Sequence, residues 1–154
     1  ESDEGIVIRF DDGHMVKIKS DWYVTLHRAK DDVGSEHKVL RLILDGKLDD
    51  YKPMLQTAPD VLAEVLRYED SVAKYMKAFI EHIQIEFDVI NRNVSDRKSF
   101  AYFATQREFP SILFKMYDGD SAAKAMLGYV DKKVKKPDEI RRMIGPAYKE
   151  LSNE

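Results

Sequence analysis

One carboxylate and two lysines near the start of the chain have the types and spacing to hold a metal-bound phosphate. Glu4 precedes an apolar segment, and Lys17 and Lys19 lie two residues apart in the next one. Side chains at i and i+2 of a strand share a face, so both ammonium groups can reach one phosphate cluster. Ammonium groups and Mg²⁺ both neutralise the negative charge of phosphate oxygens. The pattern predicts a phosphate site, although each residue alone is also typical of a solvated surface.

A β-hairpin must position these residues. Asp11-Asp12-Gly13 supplies its turn, with glycine available for a positive φ. Lys17 and Lys19 share one face of the second strand with Met15, whereas apolar residues occupy alternate positions elsewhere in the hairpin: Ile6, Ile8, Phe10, Val16 and Ile18. Two strands alone are only marginally stable in water. We therefore expect the hairpin to belong to a larger sheet.

From Ser20 onwards the apolar period changes from two towards 3.6, which predicts helices. They are expected from Ser20 or Asp21 to about Ala29, from Gly34-Ser35 to Gly46, from Asp49-Asp50, from Pro59-Asp60 to about Ile90, from Ser95-Asp96, and over Ile112–Tyr117, Ser121–Val134 and Asp138–Tyr148. The predicted fold class is mainly α, a residual N-terminal β-hairpin followed by an all-α C-terminal domain. The domains are expected at residues 1–24 and 25–154.

Composition limits the classes of function. The chain has no cysteine, which excludes disulfides, thiolate catalysis and cysteine-ligated zinc, and suits a cytoplasmic location. No apolar run reaches eighteen residues, so no membrane span is expected. The net charge is −3, divided into −6 over residues 1–94 and +3 over residues 95–154. RNA contact by the second part would therefore depend on local patches.

The candidate patch is a cluster of basic residues near the C-terminus, which a solvated helix face would explain equally: Lys132, Lys133, Lys135, Lys136, Arg141 and Arg142. Trp22 and Tyr23 are a second open case. They have the rings to stack on a base, but their helical spacing is also typical of core residues.

The strings Glu4-Gly5-Ile6-Val7 and Lys17-Ile18-Lys19-Ser20-Asp21-Trp22-Tyr23 resemble the last two nucleotidyltransferase motifs of ATP-dependent RNA ligases of the T-even phage type. The second string is the more specific, because Glu-Gly and Lys-x-Lys occur across the whole nucleotidyltransferase superfamily. Fainter similarity to that family's helical C-terminal domain continues through Leu44-Asp45-Gly46 and Asp96-Arg97-Lys98.

The resemblance implies a three-step reaction that seals a 5′-phosphate to a 3′-hydroxyl of RNA. A lysine attacks ATP to form lysyl-AMP, the AMP passes to the 5′-phosphate, and the 3′-hydroxyl then displaces it. By the same resemblance Glu4 helps to hold Mg²⁺, and Lys17 and Lys19 contact the nucleotide phosphates. The implied substrate is a tRNA broken in its anticodon loop, in the host cytoplasm if the protein is phage-encoded, with the helical domain aiding tRNA recognition.

The sequence departs from the family at its nucleophile. No Lys-x-Asp-Gly or Lys-x-Asn-Gly motif occurs in the 154 residues. We therefore predict that this chain alone neither adenylylates itself nor joins RNA. Two alternatives stay open at this point, a helical module that binds RNA without catalysis and a helical protein–protein interaction domain.

Overall fold

Two short strands precede a series of helices in the computed structural model, which describes residues 4–150. Strands β1 (Gly5–Arg9) and β2 (Met15–Lys19) pair as an antiparallel sheet. The helices are α1 (Asp21–Asp32), α2 (Glu36–Leu44), α3 (Leu48–Leu55), α4 (Pro59–Arg92), α5 (Arg97–Ala104), α6 (Pro110–Tyr117), α7 (Ala122–Lys133) and α8 (Arg141–Ile144), with a 3-10 helix at Pro137–Ile140. The predicted mainly-α fold with an N-terminal hairpin is confirmed. Residues 1–3 and 151–154, the outer ends of the two predicted domains, lie outside the described residues.

Helix starts follow the capping residues read from the sequence. The Ser20 hydroxyl accepts a hydrogen bond from the backbone N–H of Tyr23 at 3.2 Å. Asp96 does the same for Ser99 at 2.8 Å, and that hydrogen bond holds the pKa of the Asp96 carboxyl below its usual value. Each cap satisfies one backbone donor that the first helical turn leaves without an intrahelical partner.

The chain divides into two compact units, residues 1–66 and 67–154, and their boundary falls within α4. The first unit buries apolar side chains from α1 to α4: Leu26, Ala29, Val33, Val39, Leu40, Leu48, Leu55 and Val65. The second unit has a larger buried set, which includes Tyr68, Val72, Phe79, Ile83, Ile90, Phe100, Leu113, Met126 and Met143. The domain boundary expected after residue 24 lies inside α1.

Helix α4 is the longest element, with 34 residues. An apolar stripe along this helix is buried at Val65, Val72, Phe79 and Ile83, spaced as one face of a helix requires. Leu66, beside Val65 in the sequence, is 41% exposed. Neither α4 nor any other helix between residues 4 and 150 is long and apolar enough to cross a membrane.

The single long helix expected over Asp138–Tyr148 is wrong. A 3-10 helix ends at Ile140, and α8 ends at Ile144 before Gly145, whose φ is +81°. Proline disfavours the helical conformation in the residue before it and has no N–H to donate, so Pro146 accounts for the break. A side chain at position 145 would also meet the ring of Tyr75 at 2.5–2.8 Å, which favours glycine there.

An aromatic cluster fixes α5. Phe100 is fully buried, and its ring lies 5.8 Å from Phe87, 5.8 Å from Phe114 and 4.4 Å from Tyr117. Aromatic pairs at these separations add to the free energy gained by burying their area. The position of α5 therefore depends on the packing of Phe100 among three rings, together with the buried Ala104.

Candidate functional site

The two faces of the hairpin carry different kinds of side chain. The pairs Val7–Lys17, Arg9–Met15 and Gly5–Lys19 lie directly opposite each other across the strands. Cross-strand partners project to the same face, so both lysines lie on one face, as predicted. The other face is apolar and pairs Ile6 with Ile18 and Ile8 with Val16. Every residue of both strands is exposed.

Arg9 adds a third cation to the lysine face, which we define as Arg9, Lys17 and Lys19. The sequence prediction did not include Arg9. Strand alternation in the sequence already indicated this position for Arg9. Ile6, Ile8 and Phe10 occupy the even-numbered positions, so Arg9 lies on the other face of the strand. Arg9 lies diagonally across from Lys17, at a separation of about 7–8 Å between Cα atoms. The cationic surface is therefore longer than two lysines alone would make it.

The turn forms as expected. The backbone N–H of Gly13 donates to the carbonyl of Phe10 at 3.0 Å, and Gly13 adopts a φ of +89°. The Asp12 carboxylate accepts the backbone N–H of His14 at 2.9 Å. These bonds connect the two strands at the end of the hairpin away from Glu4.

Gly5 has a structural reason to be glycine. Its φ is +142°, and a Cβ there would lie 2.8 Å from the Cα of Lys19 and collide with the carbonyl oxygen of Ile18. Any side chain at this position would push β1 away from β2 beside Lys19. The glycine of the Glu-Gly string thus permits the close approach of the strands that places Lys19.

Glu4 lies at the same end of the hairpin as Lys19. The backbone carbonyl of Glu4 accepts the N–H of Ser20 at 3.2 Å, and the Glu4 side chain is exposed. Across the described residues no group of three or more histidine or acidic side chains is placed to hold a metal ion. Magnesium is commonly held by one or two carboxylates together with substrate phosphates and water. A lone Glu4 is compatible with that mode, with the phosphates as the other ligands.

Aromatic rings line the passage from β2 into α1. The Lys19 ammonium lies 5.5 Å from the ring centroid of Tyr23, and the Tyr23 ring lies 4.2 Å from the ring of His27. A cation over an aromatic face is attracted by the ring quadrupole, which orients the lysine. Trp22 is 41% exposed. The interpretation of Trp22 as a core residue is therefore wrong.

The basic cluster near the C-terminus is largely paired within the chain. Lys133 and Lys136 lie 2.7 and 3.5 Å from the carboxylate of Glu139. That contact lowers the pKa of the Glu139 carboxyl and raises the pKa of Lys133. Arg141 contacts Asp138 at 2.8 Å.

Arg142 is also paired, with Glu108 at 3.1 Å, whereas Lys132 and Lys135 are exposed. Four of the six predicted RNA contacts therefore have carboxylate partners close by. The role of these six residues in RNA binding stays a prediction, with less free positive charge than the sequence suggested.

No protein-family model matches this sequence.

Proposed function

We propose that residues 4–24 carry the last two nucleotidyltransferase motifs of an ATP-dependent RNA ligase that seals 5′-phosphate and 3′-hydroxyl ends of RNA. The observation that supports the proposal most is the register of the hairpin, which puts Lys17 and Lys19 on one face. Adjacent cations on a rigid strand are suited to neutralising the oxygens of a polyphosphate. The proposed biological setting is repair of a tRNA broken in its anticodon loop.

The chain's own residues would act on the phosphates as positioned charges. Lys17 and Lys19 would each donate to non-bridging oxygens, and the Tyr23 ring would keep the Lys19 ammonium close to β2. Positioning and charge neutralisation supply most of the catalysis in phosphoryl and nucleotidyl transfer. Glu4 would hold Mg²⁺, which would neutralise phosphate charge and orient the nucleotide.

The first test uses the natural gene product that contains these residues, incubated with ATP and Mg²⁺. Intact mass spectrometry measures the fraction that carries one lysine-linked AMP. Lys17→Ala and Lys19→Ala should each slow formation of the adduct by about 100-fold or more, since removing one donor to a developing phosphate or oxyanion charge has effects of that size. Lys77→Ala on the exposed surface of α4 is the matched control and should leave the rate unchanged.

Adduct formation at the wild-type rate in both hairpin variants would overturn the assignment of these lysines. A natural product that never gains AMP would overturn the ligase itself. A helical module that binds RNA without catalysis would then remain, and salt-dependent binding of an anticodon stem-loop would separate it from a protein-interaction domain.

A further inference from the structure

Helix α5 presents an exposed aromatic pair. Tyr102 is 67% exposed and Phe103 is 44% exposed, the former being the highest value among the large hydrophobic side chains of residues 4–150. Their ring centroids lie 5.2 Å apart at an interplanar angle of 84°. Exposed rings on a helix have a cost in water and are enriched at binding surfaces.

Cations lie close to this pair in the sequence. Residues 97–107 contain three of them, Arg97, Lys98 and Arg107, and the carboxylates Asp96 and Glu108 flank this segment. Lys98 is exposed and lies one helical turn before Tyr102, so the two side chains are neighbours on the surface of α5. Arg107 follows the helix but lies 3.8 Å from the carboxylate of Glu86, so it is paired within the chain. We call Lys98, Tyr102 and Phe103 the α5 platform.

The platform stands on a fixed support. Phe100 is buried among three rings, and Arg97 hydrogen-bonds Asp118 while lying 5.6 Å from the ring of Tyr117. At the other end of α5, Gln106 donates to the backbone carbonyl of Tyr102 at 2.9 Å. Binding side chains on a well-packed helix lose less conformational freedom than those on a loop.

A second exposed apolar pair provides the contrast. Ile85 and Val89 on α4 are 63% and 47% exposed, one helical turn apart. They are aliphatic, and acidic residues Glu81 and Asp88 lie beside them on the helix. That surface would repel a polyanion, and neither Ile85 nor Val89 has a ring to stack on. The α5 platform combines the two features that the α4 pair lacks.

We propose that the α5 platform binds single-stranded RNA, with bases stacked on Tyr102 and Phe103 and the phosphate backbone contacted by Lys98. Successive bases stack on aromatic side chains while cations follow the backbone, in a manner that tolerates any base sequence. The choice of RNA as the polyanion rests on the proposed ligase function. A broken anticodon loop offers unstacked bases of this kind.

The test measures binding of the full 154-residue chain to a fluorescein-labelled oligouridylate by fluorescence anisotropy. The oligonucleotide has about ten nucleotides, within the range that single-strand-binding folds cover. Tyr102→Ala should weaken binding by about 5- to 150-fold, the loss of stacking on one base. Tyr102→Phe keeps the ring and should bind like the wild type.

Ile85→Ala is the matched control, because it removes a side chain of almost the same exposure from the α4 pair. It should leave the affinity unchanged. Lys98→Ala should reduce the slope of log affinity against log salt by about 0.7, the value for one phosphate contact on a single strand. Lys77→Ala should keep the wild-type slope.

Three results would overturn the platform: no RNA binding by the wild type at low salt, equal affinities of Tyr102→Ala and Ile85→Ala, or a change of oligomeric state in Tyr102→Ala. The last would make the surface a contact between copies of the chain. Failure here is distinct from failure of the ligase proposal. The ligase proposal is tested by the rate of AMP adduct formation in the Lys17 and Lys19 variants, and that measurement does not involve Tyr102. Tyr102-dependent binding by a protein that never gains AMP would leave the platform standing without the ligase.

Discussion

The hairpin and the α5–α6 region use their side chains in opposite ways. In the hairpin every side chain of β1 and β2 is exposed, and the strands are held by backbone hydrogen bonds and by two glycines with positive φ. Around α5 the structure depends on Phe100, which is buried among three rings. Side chains that are not needed for packing are free to bind, so the exposed cations of the hairpin are the better candidates for chemistry.

The largest expected effect is on the free energy of unfolding, when a buried and an exposed phenylalanine are each replaced by alanine. Phe100→Ala should lower the free energy of unfolding by about 3–5 kcal/mol, because it removes a fully buried ring. Phe10→Ala is the control from the hairpin, where the ring is 51% exposed, and should change that free energy by less than about 0.5 kcal/mol. Urea unfolding followed by circular dichroism measures both. Equal losses would contradict the contrast between the two regions.

An intermediate effect is expected at Gly5. Gly5→Ala puts a methyl group into the backbone of β2 and forces an unfavourable φ, at a cost of about 1–3 kcal/mol to the hairpin alone. Hydrogen exchange should accelerate at the amides of residues 5–19, while the urea midpoint of the helices stays the same. Gly128→Ala is the control, because nothing lies within 4 Å of the added methyl and alanine favours the helix. Unchanged exchange in Gly5→Ala would show that the strand contact is not tight.

The smallest expected effect concerns the loss of stability at low pH. The hydrogen bond from Arg97 lowers the pKa of the Asp118 carboxyl. A carboxyl with a lowered folded pKa stabilises the fold above its unfolded value of about 3.9 and loses that contribution as the pH falls through the folded pKa. Asp118→Asn should therefore be less stable near neutral pH and should lose less stability on acidification below about pH 4.

Urea midpoints measured from pH 7 downwards test this, with Asp12→Asn in the hairpin turn as the control. The control should follow the wild-type acid profile for unfolding of the helices. A wild-type profile in Asp118→Asn would show that the ion pair contributes nothing measurable.

Local chemistry explains which parts of the fold could be read from the sequence. Alternation in the hairpin and the capping of helix starts act over a few residues. The alternation is found as predicted, and Ser20 and Asp96 are the caps among the predicted pairs Ser20 or Asp21 and Ser95-Asp96. The helix expected over Asp138–Tyr148 failed because the prediction took no account of Gly145-Pro146, before which α8 ends. Burial of Trp22 could not be decided, because helical spacing does not say which neighbours cover a helix face.

The candidate site was predictable to a similar degree. Lys17 and Lys19 follow from strand alternation, and Arg9 would have followed from the same rule. The pairing of Lys133 with Glu139 and of Arg142 with Glu108 could not be foreseen, because both depend on how the chain turns back on itself. The exposure of Tyr102 was equally hidden, since its neighbour Phe100 is buried on the same short helix.

The register of the hairpin has an evolutionary consequence. Gly5 opposes Lys19, so the odd-numbered positions of both strands lie on the cationic face and the even-numbered positions on the apolar face. Selection would preserve charge in the first set of positions and apolar volume in the second. Substitutions accumulated over time should therefore alternate in kind along each strand, with a period of two residues.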